Sequence, residues 1–131
     1  MQLILKILTI VLTLIFFALG LSAFIDPATA LEGPAFAWSP DGIAGLSAGR
    51  GILGGQYLAL GLVAGYALVK SEFKLLYVPA LSEFMIVFGR LVSLGVDGFD
   101  ERMLLPLLVE LTIAVGMFCA AKLLRPQTAI S

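Results

Sequence analysis

The sequence predicts an all-α integral membrane protein: a four-helix bundle with both termini cytoplasmic and a long outer loop between spans one and two. Three observations carry that expectation. Of the 131 residues, 60% are hydrophobic and 13% charged, which leaves too little polar surface to clothe a soluble domain of this length. The apolar residues gather into four runs of about 20, the length a helix needs to cross the hydrocarbon of a bilayer. Lysine and arginine are also unevenly shared between the ends of those runs.

Span one is expected over about residues 2–25. Its only charge is Lys6, placed where a long stem can carry the ammonium to the headgroups. The run resembles a secretory leader ending in Leu21-Ser22-Ala23, but it is long enough to span and reads as a membrane helix. Asp26-Pro27 ends it, because proline disfavours the helical conformation in the residue before it.

Asp26 to Gly49 reads as the one long connection. It contains Pro27, Pro34 and the turn signal Ser39-Pro40-Asp41-Gly42. Its apolar residues, Trp38 among them, suit a loop lying at headgroup level. Span two is expected over about residues 51–69 and is rich in glycine. Gly51/Gly55 and Gly61/Gly65 repeat the small-xxx-small spacing that lets helix backbones approach closely in lipid. A charged turn, Lys70 to Lys74, leads into span three, about residues 75–96. A second turn, Asp97 to Arg102, leads into span four, about residues 103–124, and residues 126–131 form a short tail. Pro79 and Pro106 fall near the starts of spans three and four, where a missing N–H costs least. The whole of residues 1–131 reads as a single transmembrane domain.

With the N-terminus inside, Lys6, Lys70, Lys74, Lys122 and Arg125 lie on the cytoplasmic side and only Arg50 and Arg102 outside. That bias sets both termini in the cytoplasm.

Composition also excludes chemistry. There is no histidine and only one cysteine, Cys119. The commonest metal ligand, the usual general base near neutral pH and any intrachain disulfide are therefore missing. A net charge of −1 offers nucleic acid no basic stripe. No nucleophile–base pair, metal-ligand spacing or cofactor motif is present. The expectation is no catalytic residue, no metal and no cofactor.

The informative residues are charges inside the spans, which usually face the bundle interior. Arg90 on span three and Glu110 on span four both fall about 10 Å below the outer boundary at ~1.5 Å rise per residue. On antiparallel neighbours joined by a tight turn, they should form an ion pair. Arg50, Gln56 and Tyr57 at the outer end of span two reach the same level. Asp97, two turns from Arg90, is placed to pair with Arg50. Glu83 shares the Arg90 face but sits about 10 Å deeper. It reads as an isolated intramembrane carboxyl, with Lys6 or Tyr66 as candidate partners.

The blocks Gly49-Arg-Gly-Ile-Leu-Gly-Gly-Gln56 and Phe88-Gly-Arg-Leu-Val-Ser-Leu-Gly-Val-Asp-Gly98, together with Glu110, resemble a family of small bacterial four-span membrane proteins of unknown function. That family is related more distantly to DoxX-like proteins. The resemblance covers nearly the whole chain. It implies a four-helix membrane bundle with Arg50, Gln56, Arg90, Asp97 and Glu110 as its polar core, and it carries over no reaction. The first functional expectation is a non-catalytic membrane protein, either self-associating or an accessory subunit of a larger membrane complex. The alternative is a binding or carrier protein for a lipid or lipophilic molecule through the outer polar cluster, with a transporter subunit ranked below. Expected partners are membrane lipids and protein subunits or further copies of the chain.

Overall fold

The structure, a computed structural model, describes residues 1–39 and 41–125. Among them every regular element is a helix. Helix α1 runs Gln2–Ile25 and ends at Asp26, whose side chain accepts from the Thr29 N–H at 3.3 Å. Asp26 thereby caps α2, Pro27–Glu32, with Pro27 at the first helical position, where its missing N–H is harmless. Helix α3, Gly42–Ala48, passes through a π-helical stretch, Gly49–Gly54, into α4, Gly55–Lys70. A 3₁₀ turn at Phe73–Leu76 leads into α5, Tyr77–Val96. A second, at Glu101–Met103, leads into α6, Leu104–Leu123.

Four continuous helices are long and apolar enough to cross a membrane: Gln2–Ile25, Gly42–Lys70, Phe73–Val96 and Glu101–Leu123. The second begins nine residues before the span expected from residue 51. Its early residues, Gly42 to Gly49, fall within the stretch expected as loop. In lipid, however, a helix satisfies its own backbone groups and glycine is tolerated. The connection between the first two spans is correspondingly shorter and carries α2. Pro40, in the expected Ser39–Gly42 turn, and the expected tail at 126–131 lie outside the described residues.

The interior mixes large side chains, Phe16, Ile113 and Met117 among them, with many alanines. Large apolar side chains such as Leu14, Leu62, Leu81, Met85 and Phe88 face outward, while Ala64, Ala67, Ala80, Ala114 and Ala120 are buried. Lipid gives apolar side chains no drive inward, so close contact between small residues holds the helices instead. Helix α1 packs chiefly on α4 and also on α6, while α5 leans on α6 and only lightly on α4. The chain ends meet at one end of the bundle. There the Gln2 side-chain amide donates to the Leu123 carbonyl at 2.7 Å and accepts from the Arg125 N–H at 3.2 Å.

Close approach of α1 and α4 centres on Gly20 and Gly54. A Cβ on Gly20 would stand 2.7 Å from the Leu58 nitrogen, and one on Gly54 would stand 3.0 Å from the Phe24 nitrogen. Of the expected packing glycines, Gly61 lies against the Phe17 ring and Gly65 near Thr13. Gly51 faces open space, and Gly55 meets only the carbonyl of Arg50 in its own helix. The π-helical stretch explains the difference. Its i→i+5 repeat puts Gly49 and Gly54, five apart, on the buried side ahead of Leu58, Gly61 and Gly65. Gly51 and Gly55 drop out of phase.

Candidate functional site: a buried polar cluster

The buried stripe of α5 runs Pro79, Ala80, Glu83 and Val87, with Arg90 one turn further along. That of α6 runs Pro106, Glu110, Ile113, Ala114 and Met117. Seven residues make nearly two helical turns, so Glu83 and Arg90 share a face. The stripes face one another, and Arg90 grips Glu110 with both arms of its guanidinium. Its Nε donates to Oε2 at 2.6 Å and its Nη2 to Oε1 at 2.8 Å. This fork-to-fork geometry fixes the rotation of both helices, which a lysine would not do.

Glu83 is fully buried, and neither of its carboxyl oxygens has a hydrogen-bond partner among the described residues. The suggested partners are engaged elsewhere. The Lys6 Nζ sits over the Phe73 ring, 5.9 Å from its centroid, and Tyr66 is exposed on the lipid side. Glu83 is nevertheless not remote from the ion pair. It lies two helical turns from Arg90 on the same face of α5.

Tyr57 is buried and projects from α4 into this region. Its ring packs against Phe16 of α1 at 5.9 Å and edge-on against Phe36 at 5.5 Å. Phe36 is a buried side chain on the turn after α2, so that connection plugs the bundle over Tyr57. Gln56 donates to the Ser82 hydroxyl at 3.1 Å, the hydrogen bond that joins α4 to α5. Removing it with Ser82→Ala should cost only about 0.6 kcal/mol, the usual scale for a neutral interhelical hydrogen bond in a bilayer. Thermal unfolding in detergent should therefore show a small decrease.

Arg50 and Asp97 stand apart from the cluster. Arg50 donates to the Phe24 carbonyl at 3.2 Å and satisfies the end of α1, while Asp97 accepts from Ser93 at 2.6 Å. The expected Arg50–Asp97 pair is absent among the described residues. The π-helical stretch carries Arg50 to the side of α1 instead. The second ion pair, Asp100–Arg102 at 2.6 Å, is on the exposed turn. The Arg102 side chain and backbone N–H both donate to Asp100 and hold its carboxyl down at about 2. That contribution is lost only as pH falls through about 2, so the turn carries no pH switch in the ordinary range.

Sequence reasoning missed Ser82, Phe36, Gly20 and Gly54. The seven-residue spacing of Gly54 and Gly61 was a signal for one of them. Phe36 had none, since nothing local says which loop aromatic turns inward.

Four long apolar helices, with Glu83 and Glu110 buried between them, define an integral membrane protein of the helical-bundle class. Residues 4–121 match the family described as a domain of unknown function, DUF4345, and the chain belongs to it. No curated protein and no solved structure matches the chain.

Proposed function

We propose that the chain is a non-catalytic protein of a bacterial inner membrane, with both termini cytoplasmic, acting as an accessory or self-associating subunit. The observation that carries this reading is how the interior polar groups are used: Arg90 with Glu110, and Gln56 with Ser82, tie helix to helix. Purification in mild detergent followed by native mass spectrometry tests it. The expected result is a stable multiple of the 13.9 kDa chain or a co-purifying subunit. A strictly monomeric species with neither would overturn the reading. The lysine and arginine bias supports the orientation. A C-terminal green fluorescent protein fusion should fluoresce, and a C-terminal alkaline phosphatase fusion should be inactive. The reverse pair of results would put that end outside.

One observation favours a second reading, a binding or carrier protein for a lipid or lipophilic molecule. Glu83 is a buried carboxyl without a hydrogen-bond partner among the described residues, which neither packing nor helix pairing accounts for.

A further inference from the structure

A groove of about 610 Å³ lies where α1, α4 and the start of α5 meet, lined by Phe17, Leu62, Val63, Tyr66, Leu75 and Val78. That volume is within the ~300–1,000 Å³ common for small-molecule sites. Leu62, Tyr66, Leu75 and Val78 are all exposed on the flank of the bundle, so the groove opens toward lipid. Apart from the Tyr66 hydroxyl its named side chains are apolar.

The groove reaches the turn that joins α4 to α5, because Leu75 belongs to the 3₁₀ turn Phe73–Leu76. On α4, Leu62, Tyr66 and Lys70 are four residues apart and follow one another along one row. That row passes from an apolar side chain through a phenol to an ammonium. Lys74 immediately precedes Leu75. Two exposed lysines therefore flank the end of the groove at the turn.

Charge there is one-sided. Lys6 brings a third ammonium to the same turn, 5.9 Å from the centroid of the Phe73 ring. Glu72 is the one acid between Lys70 and Lys74. The ion pairs among the described residues are Arg90–Glu110 and Asp100–Arg102, so neither lysine is paired with a carboxylate. Lysine stems lie along apolar surface and keep their ammonium at headgroup level. Basic residues alone draw anionic lipid diffusely. An apolar groove below them gives one such lipid a fixed place.

We propose that this groove holds one anionic phospholipid. An acyl chain lies along Leu62, Val63 and Val78, the ester region is level with Tyr66, and the phosphate sits between Lys70 and Lys74. The site contains neither Glu83 nor the Arg90–Glu110 pair, so the inference goes beyond both readings of that cluster and rests on neither.

The test titrates the delipidated full chain in a non-ionic detergent with dioleoylphosphatidylglycerol or dioleoylphosphatidylcholine, and native mass spectrometry counts the lipids retained. The phosphatidylglycerol should saturate at one per chain. The phosphatidylcholine, with the same chains and no net charge, should bind about tenfold weaker, the scale that two lysines supply toward an anionic lipid. Combining Lys70→Gln with Lys74→Gln should bring the first lipid down to the level of the second and leave the second unchanged. Val78→Trp, which fills the groove, should weaken both. These variants alter exposed residues, and circular dichroism should show wild-type helicity. The wild-type preference decides the headgroup assignment even if a variant fails to fold. Equal binding of the two lipids would overturn that assignment, as would undiminished phosphatidylglycerol binding by the folded double variant. Phosphatidylglycerol accumulating past one per chain without saturation, or indifferent to Val78→Trp, would overturn the groove as its site.

Discussion

Replacing Arg90 with methionine is expected to destabilise the bundle by about 3–5 kcal/mol, the cost of leaving one member of a buried ion pair without its partner. The geometry supports the upper class of effect rather than the small one assigned to surface pairs. The two side chains are 23% and 5% exposed, and both oxygens of Glu110 are engaged. Methionine keeps the length and flexibility of the stem, so the loss reports the guanidinium and not a cavity. Reversible unfolding in mixed micelles with increasing dodecyl sulfate would measure it. A loss below about 0.6 kcal/mol, the level of a neutral interhelical hydrogen bond, would mean that Glu110 finds another partner.

The second large effect is expected at the crossing of α1 and α4. Gly20→Ala should cost about 1–3 kcal/mol or more, the range for overpacking a close contact. The new methyl would meet the backbone nitrogen of Leu58 at 2.7 Å and the backbone carbonyl of Gly54 at 3.1 Å. Neither can turn aside as a side chain does. Gly116→Ala is the instructive comparison. There the nearest atom, at 2.6 Å, is the tip of the Leu12 side chain, which can change rotamer, so the loss should be smaller. Gly51→Ala meets nothing within 4 Å and should change stability by no more than about 0.5 kcal/mol. The same unfolding assay on the three variants orders them.

How far the sequence could be read follows from the kind of information each feature needs. Arg90–Glu110 was legible because two helices joined by a tight turn have fixed neighbours and fixed relative depth, so residue counting along the helices is enough. Glu83 shows where counting stops. Its depth was readable, but the rotation of α4, which buries Tyr57 and turns Tyr66 to the lipid, was not. The same limit applies to Arg50. Its depth put it level with Asp97, yet six residues of π-helix rotate it onto the carbonyl end of α1. The glycine reading failed for that reason too. Gly51 and Gly55 have the right spacing for a regular α-helix, and the helix there is not regular. Span two began early because glycine, a breaker in water, is an ordinary helix residue where the backbone has no water to bond with.

These rotations give the bundle its character. The interior is largely apolar, with one polar region where α5 faces α6. The ion pair there holds α5 to α6. The remaining carboxyl, Glu83, is buried on the same face of α5 as Arg90, without a hydrogen-bond partner among the described residues.

The most direct measurement is a double-mutant cycle on that pair in bilayer-mimicking micelles, with Arg90→Met, Glu110→Met and the two combined. If the pair is the lock between α5 and α6, each single variant loses stability, and the double variant recovers much of it because no orphaned charge remains. A coupling energy of about 2–3 kcal/mol is the expected result. Additive losses, with coupling within about 0.5 kcal/mol of zero, would contradict the account.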